Sequence, residues 1–339
     1  MKKIIYWIGA VLLLVSCKGN GTQGTGLTSS SGRSSEMLVV CPASDWNGVL
    51  GDSLRSVLLA SVPALPQSEP MFRVTWISPS SFNAVYQKFR NILVLQADAS
   101  VERPHLGVSR NKWAAPQLII TMRAPSSEML ATAFSKQQEK VVDLIMRSEM
   151  SRFQRAQKAQ QDNHIVRQLE EKYHISMGIP EGFVFAVKED GFCWLRKDTK
   201  YWGQHLMLYS APYTDAGQFS TEHIRQLRDR YTRKYVMGTT DSSYILTDDR
   251  FYPLESRLFD FPNSPYAVEV RGLWGLFNSN DRMGGPFVSY TFLDSVSQRV
   301  VCVDGFLYAP SEEKRDLLRQ VEAILLSAKC LRDSLSDDR

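Results

Sequence analysis

The first third of the chain alternates short apolar runs with apolar residues at helical spacing. Strand-length apolar runs occupy residues 38–41, 72–77, 92–95 and 117–122. A helical pattern lies between the first two runs and is stopped by Pro63. Ser78 and Pro79 are typical of an N-cap and a first helical position, and they predict a second helix carrying Phe82 and Phe89. This order predicts a small α/β lobe over residues 37–125.

Residues 126–177 contain no glycine and no proline and are rich in helix formers, so they predict a helical connector. One unbroken helix of that length would reach about 78 Å, far beyond a lobe of this size. We therefore expect a break at 161–163. The polar stretch 154–161 has two interpretations, a solvated helix face and a surface that binds a partner.

Residues 178–331 read as strands followed by a final helix. The dipeptide Asp190-Gly191 between two apolar runs predicts a tight hairpin. Ser220 and Ser311 are typical helix caps, each placed before an amphipathic segment. The predicted fold class is thus α+β: an N-terminal small α/β lobe, a helical connector, and a C-terminal antiparallel sheet covered by helices. A polar tail follows at 332–339.

The first 17 residues have the pattern of an export signal: two lysines, an apolar run at 4–15, and a small residue before Cys17. Twelve apolar residues are too few for a permanent membrane span. Residues 14–17, Leu-Val-Ser-Cys, resemble the bacterial lipoprotein box, and the resemblance implies acylation of Cys17, for example with palmitate. The alternative is a plain secretory signal with an incidental cysteine.

Residues 18–36 are dominated by glycine, serine and threonine, which predicts a flexible linker between anchor and body. Lys18 stands directly after Cys17, where an aspartate would resemble the inner-membrane retention signal. No acidic cluster, which would resemble a surface-export signal, follows Cys17. We therefore expect a lipid-anchored protein of the outer membrane that faces the periplasm.

The composition excludes several classes of protein and one class of partner. The chain has 339 residues, of which 43% are hydrophobic and 22% charged, values typical of a folded soluble body and not of collagen, coiled coil, multi-span membrane protein or disordered chain. Without Lys2 and Lys3, 38 basic residues face 36 acidic ones. A balance so close to neutral predicts no nucleic-acid partner.

Cysteine and histidine usage predicts neither metal nor cofactor. The five histidines are scattered, and the cysteines have no C-x-x-C spacing. Export permits disulfides, so Cys41, Cys193, Cys302 and Cys330 are either buried free thiols or pairs whose connectivity the sequence leaves open.

Familiar catalytic motifs are absent from the sequence: it has no G-x-S-x-G elbow, no phosphate loop and no dinucleotide fingerprint. Acid/base catalysis by two carboxylates needs no local motif. A hydrolase acting on cell-wall or glycan material therefore stays an alternative, and turn chemistry is the other explanation of its candidate acids. These acids are Asp248, Asp249, Glu255, Asp281 and Asp304.

Residues 244–293 contain eleven aromatic side chains interleaved with arginines. One interpretation is a packed sheet core with a glycine turn. The other is a surface that binds a protein partner or a carbohydrate, because aromatic residues, methionine and arginine are favoured at interfaces. The candidate binding residues are Arg271, Trp274, Asp281, Arg282, Met283 and Phe287.

Three runs in this part carry a family resemblance: Arg-Gly-Leu-Trp at 271–274, Met-Gly-Gly-Pro-Phe at 283–287 and Asp-Gly-Phe-Leu-Tyr-Ala-Pro at 304–310. They resemble an uncharacterised lipoprotein family of Bacteroidetes, domain of unknown function 4837, over the whole mature chain. The resemblance implies a place in the cell envelope and carries no activity. The order of elements after residue 178 also resembles the PsbP and Mog1 type of lobe.

The function that the sequence favours is non-enzymatic: a periplasm-facing interaction module in envelope assembly or maintenance, tethered to the membrane and bound to an envelope protein. Two alternatives stay open, the carboxylate-dependent hydrolase and a carrier of a lipid or small apolar ligand. The carrier predicts a sizeable apolar cavity between the lobes.

Overall fold

The computed structural model describes residues 26–238, 240, 242–262 and 264–331. The predicted signal peptide, Cys17, the first part of the linker and the polar tail lie outside the described residues. Within those residues the chain forms six helices and fifteen strands in two lobes, and the predicted α+β fold class is confirmed.

The N-terminal lobe is a five-stranded sheet with helices on one face. Its strands follow the spatial order β2-β1-β3-β5-β4, parallel except for β4, which pairs antiparallel with β5. The elements are β1 (Glu36–Val40), α1 (Ala43–Trp46), α2 (Val49–Leu58), β2 (Arg73–Ile77), β3 (Asn91–Ala97), β4 (His105–Arg110), β5 (Leu118–Ala124) and α3 (Ser127–Ala159).

The C-terminal lobe is built on a long antiparallel sheet in the order β10-β12-β13-β14-β9-β8-β7, with β11 on the same edge of β12 as β10. Gly191 takes a φ of +72° in the predicted hairpin between β7 and β8. The elements are α4 (Asn163–Tyr173), β6 (Ile175–Ser176), β7 (Val184–Glu189), β8 (Phe192–Asp198), β9 (Gly203–Pro212), α5 (Thr221–Tyr235), β10 (Tyr244–Thr247), β11 (Glu255–Leu258), β12 (Ala267–Phe277), β13 (Gly284–Asp294), β14 (Arg299–Tyr308), α6 (Arg315–Leu325) and β15 (Lys329–Cys330).

The predicted helical connector is divided between the lobes. The chain breaks at 160–162, where Asp162 caps α4 by accepting from the N–H groups of His164 and Ile165. Leu130, Phe134 and other apolar residues of α3 belong to the core of the N-terminal lobe, whereas Leu169 of α4 belongs to the core beneath the long sheet. The polar stretch 154–161 is neither fully solvated nor a free surface, because Gln154 and Gln157 donate to backbone carbonyls of α6.

Two predicted elements differ from those in the structure. The helix expected after Ser78 is two short 3-10 turns, Pro79–Ser81 and Tyr86–Lys88, because the Asn83 side chain accepts from the Val85 N–H and competes with helix formation. The predicted linker also ends early. Ser29 and Ser31 bridge to Ala115 and Phe89, and Ser35 is fully buried.

The four described cysteines are free thiols. Cys41, directly after β1, Cys193 in β8 and Cys302 in β14 are buried, and Cys330 is half-buried. Burial raises the pKa of Cys193 to about 12 and that of Cys302 to about 11. They therefore stay protonated at neutral pH and pack as small apolar side chains.

None of the helices in the described part of the chain combines the length and the hydrophobicity needed to cross a lipid bilayer.

Candidate functional site

A cleft of about 710 Å³ lies between the two lobes, and we call it the interlobe cleft. Helix α3 and the segment after α2 form its N-terminal wall, and β11, β12 and α6 form its C-terminal wall. The volume is that of a pocket for a small organic molecule. One wall is mainly apolar and the other mainly charged.

The apolar wall comes from the edge of a core-forming helix. Val141 and Ile145 of α3 are buried against the N-terminal sheet. Their neighbours Val142 and Met146, rotated by about 100° around the helix, are only partly buried and face the cleft together with Met71. This wall therefore exposes flexible apolar side chains that a ligand could cover.

The charged wall follows from strand alternation in β12. Glu269 and Arg271 are two positions apart, so they share one face of the sheet, the face covered by α6. Arg271 donates from Nε to Glu269 at 2.8 Å and from Nη1 to Glu322 of α6 at 2.6 Å. Arg257 lies opposite Glu269 in the β11–β12 register and donates to it from Nε at 2.9 Å.

The charges in this cluster are fixed. Burial opposes ionisation of Glu269, but the guanidinium groups of Arg271 and Arg257 outweigh burial and hold the pKa of that carboxyl at about 2. Glu322 and Glu269 likewise outweigh burial at Arg271 and raise its pKa. Glu269 therefore stays ionised at neutral pH and cannot donate a proton as a general acid.

A polar network beside the cleft joins the lobes. Glu69 of the N-terminal lobe accepts from the backbone N–H groups of Lys314 at 2.6 Å and Arg315 at 2.9 Å. Asp316 accepts from the Ser35 hydroxyl at 2.6 Å and from Arg73 at 2.7 Å. Burial opposes ionisation of Asp316, but these hydrogen bonds and one from Arg315 hold its pKa at about 2. The network fixes α6 against the N-terminal lobe and so sets the shape of the cleft.

The structure separates the six candidate binding residues. Arg271 lines the cleft, whereas Trp274 points to the opposite face of the sheet, is 4% exposed, and donates from Nε1 to the Leu307 carbonyl at 3.1 Å. Strand alternation is the reason, because residues three apart lie on opposite faces. Phe287 and Met283 belong to the same core as Trp274. Asp281 and Arg282 are exposed in the turn between β12 and β13.

Five of the eleven aromatic side chains of residues 244–293 are buried in the core: Phe261, Trp274, Phe287, Tyr290 and Phe292. Phe287 lies under α5, where the Arg228 guanidinium carbon is 3.9 Å from its ring centroid. Tyr290 and Phe292 are buried on the other face, against Phe261. The first of the two interpretations of this window, a packed sheet core, describes these rings.

The five candidate acids do not converge on one cleft. Glu255 lines the interlobe cleft and accepts from the Tyr252 hydroxyl. Asp304 is buried beneath α5 and accepts from Arg228 Nε at 2.9 Å, and Asp248 is paired with Arg250. Asp249 and Asp281 are exposed in connecting segments.

The sequence pattern missed the acids that matter here. No local sequence motif marks three of these acids, which are Glu69, Glu269 and Glu322. Each is important because of a hydrogen-bond partner on another element. The signal that could have found Glu269 is its position two residues before Arg271 inside an apolar strand, because a buried charge of this kind requires a partner. In the described ranges, no group of three or more histidine, cysteine, aspartate or glutamate residues is arranged to hold a metal ion.

Two family models match separate parts of the chain. Residues 162–327 match a domain of unknown function, DUF4837, and residues 30–158 match a second one, DUF8532. The resemblance to DUF4837 is confirmed, but over the C-terminal lobe and not over the whole mature chain. The boundary between the matches coincides with the break between α3 and α4. No curated protein matches this sequence.

Solved structures are similar to about half of the chain. A point mutant of the protein Mog1 is 11% identical with a TM-score of 0.28, covering 48% of this chain and 93% of its own. The Ran-binding protein Mog1p of Saccharomyces cerevisiae is 8% identical with a TM-score of 0.29, covering 47% and 90%. A STAR-related lipid transfer protein from Xanthomonas axonopodis is 11% identical with a TM-score of 0.20, covering 43% and 96%.

Proposed function

We propose that this protein, whose residues 162–327 match the DUF4837 family, is a membrane-tethered, non-enzymatic binding protein that holds a small amphipathic ligand in the interlobe cleft. The observation that carries the proposal is the cleft itself, about 710 Å³ with one apolar and one charged wall. Pockets of this size with a few polar groups among apolar ones are typical of ligand sites.

The charges of the cleft favour a ligand with an acidic head group. The Arg271 guanidinium already donates hydrogen bonds to two carboxylates, those of Glu269 and Glu322. Arg257 also bonds to Glu269, but 63% of its side chain is exposed at the rim. A carboxylate or phosphate can pair with that guanidinium while its apolar part covers Val142 and Met146.

A binding role is better supported than hydrolysis. Catalysis by a carboxylate pair needs one acid that is protonated before the reaction, and the pKa of Glu269 is about 2. Burial raises the pKa of Asp304, but that carboxyl lies under α5 and does not line the cleft. Of the five candidate acids only Glu255 lines the cleft, so no two of them meet there.

We further propose that acylation of Cys17 tethers the protein to the outer membrane, where it faces the periplasm. There it would take part in envelope assembly or maintenance. The support is the export pattern and the Leu-Val-Ser-Cys run at 14–17. Several acyl chains would make the attachment effectively permanent. An envelope protein would then receive or supply the ligand. Labelled palmitate should be incorporated into the intact protein and lost in Cys17→Ser.

Displacement of a fluorescent fatty acid, followed by titration with unlabelled fatty acid, tests the cleft. Arg257→Gln should weaken binding about tenfold through loss of a charge-assisted contact. Met146→Glu should weaken it as much by placing a charge on the apolar wall. The matched controls are Arg196→Gln on β8 and Ala156→Glu on the exposed part of α3.

Equal binding by Arg257→Gln and Arg196→Gln would refute the acidic head group. Absence of any displaceable fatty acid, together with no bound lipid in native mass spectra of the purified protein, would refute the carrier function as a whole. In that case the interaction module would be the better hypothesis.

A further inference from the structure

The N-terminal sheet has a point at which the chain changes direction, between β1 and β3. The connection from β1 to β2 runs through α2, whose apolar side chains pack in the core on one face. The connection from β2 to β3 crosses the other face, where Phe82 and Phe89 pack on Leu38 and Ile92. In open α/β sheets, the crevice at the carboxyl ends of the strands at such a point is where ligands bind.

A cavity of about 250 Å³ occupies this place, and we call it the strand-end cavity. Its walls come from the ends of β1 and β3, the chain after β2, and the first turn of α3. The residues that bear on its chemistry are Val40, Asp45, Phe82, Val94, Gln96 and Ser127. It is separate from the interlobe cleft and shares no lining residue with it.

Asp45 is one of the residues that line this cavity, and its carboxylate is incompletely paired. Its side chain is buried, with the residue 7% exposed, and Oδ1 accepts from the Ser127 hydroxyl at 2.6 Å. Oδ2 is buried and has no hydrogen-bond partner among the described residues. Nor does any described lysine, arginine or histidine form an ion pair with Asp45 or line the cavity. A buried carboxylate without a cation is costly unless a ligand supplies one.

We propose that the strand-end cavity binds a small primary amine, whose ammonium group pairs with Asp45 and whose apolar part packs on Phe82 and Val94. A single carboxylate does not provide the several oxygen ligands that a divalent metal ion takes. An ammonium group needs one anion and hydrogen-bond acceptors, which Asp45 and Gln96 provide. The aromatic ring of Phe82 further favours a cation over a neutral ligand.

The cavity volume limits the ligand to roughly eight non-hydrogen atoms, taking about 30 Å³ for each water-sized group. Benzylamine fits that limit and is the probe. Benzyl alcohol and benzoate have nearly the same shape but replace the cation by a neutral group and by an anion. The three probes therefore separate charge recognition from burial of the ring.

The experiment is titration of the full chain with the three probes, followed by two-dimensional amide NMR. Benzylamine should shift the amide signals of Gln96 and Ala97 at the end of β3, and benzyl alcohol should bind about tenfold more weakly. Benzoate should not bind. Asp45→Asn should reduce benzylamine affinity at least about tenfold and leave benzyl alcohol unchanged. The matched control, Asp98→Asn, removes a carboxylate already paired with Arg123 at the same sheet edge.

Equal affinities for benzylamine and benzyl alcohol in the unaltered protein would overturn the proposal without any variant, so it does not depend on folding of Asp45→Asn. Unchanged benzylamine affinity in a folded Asp45→Asn protein would overturn it as well. Shifts confined to residues of the interlobe cleft would assign the amine to the other site and would also refute it.

Discussion

Glu69 caps helix α6 from the other lobe: its carboxylate accepts from the backbone N–H of Arg315 at 2.9 Å, across 246 positions of sequence. The second carboxylate oxygen accepts from Lys314 at 2.6 Å. Ser311, the cap that the sequence predicts, lies outside the helix and is exposed. The N-terminus of α6 is thereby stabilised by a negative charge that belongs to the other lobe.

Replacing this cap should destabilise the whole protein. Glu69→Ala leaves two buried N–H groups without partners, which costs about 1–3 kcal/mol of the free energy of unfolding. Urea denaturation followed by circular dichroism measures the loss. The control is Ser311→Ala, which should change the free energy by less than about 0.5 kcal/mol. A larger effect at Ser311 than at Glu69 would contradict the observed cap.

The Glu269 cluster should be essential for stability. Glu269→Gln leaves the Arg271 guanidinium buried with one anionic partner instead of two, and we expect a loss of about 3 kcal/mol. Asp143→Asn on α3 is the control, because the ion pair of Asp143 with Arg147 is exposed and contributes about 0.5 kcal/mol or less. The same urea titration measures both. Similar stabilities of the two variants would show that the cluster is not what holds β12 to α6.

Stability should fall in mildly acidic solution because of His205. Burial, together with nearby Arg196, lowers the pKa of this imidazole to about 3. The unfolded chain, with an ordinary pKa near 6.5, therefore binds the proton first, so His205 costs no stability well above pH 6.5 and destabilises the fold progressively as the pH falls toward 3. Between about pH 6.5 and pH 5 the loss from this group is about 2 kcal/mol.

His205→Phe tests that assignment. The ring lies parallel to Phe306, 4.4 Å between centroids, so phenylalanine can keep the stacking while removing the titration. The variant should show a nearly flat free energy of unfolding between about pH 6.5 and pH 5, whereas exposed His164→Gln should keep the slope of the unaltered protein. If the slope survived in His205→Phe, another group would have to be responsible.

The four described thiols should be unreactive in the folded protein. Burial raises the pKa of Cys41 to about 11 and that of Cys330 to about 12, so little thiolate exists at about pH 8. In the Cys17→Ser background, a disulfide reagent should release less than one equivalent of chromophore in native buffer and four in guanidinium chloride. Rapid native labelling at Cys193 or Cys302 would contradict their burial.

The local pattern of the chain predicts its elements well. Asp190-Gly191 predicts a hairpin and Ser220 predicts a helix start, and the structure confirms both. The predicted break in the long helical segment is also observed, between α3 and α4. Each of these depends on residues within a few positions of one another. The helix predicted after Ser78 is wrong because an equally local signal, the Asn83 side chain, competes with it.

Local sequence patterns predict the candidate sites much less completely than they predict the helices and strands. The sequence identifies Arg271 as a candidate, but it identifies neither its partners Glu269 and Glu322 nor the apolar wall to which Met146 belongs. Trp274 shares its sequence motif with Arg271 and yet lies on the other face of the sheet. The aromatic composition could not show which rings are buried, because core and surface sites use the same residue types.

The local elements follow from the sequence alone, because periodicity, capping and turn chemistry act between near neighbours. The near-neutral charge and the export pattern are likewise read directly from the residues. Which charges meet depends on the tertiary fold. The partners in a buried pair can be far apart in the chain, as are Glu69 and Arg315, or Arg271 and Glu322. A buried charge pairs with an opposite charge that the fold places next to it. Asp45 and Ser127 are also far apart in the chain, and the fold brings α1 and the start of α3 together so that the Ser127 hydroxyl donates to Asp45.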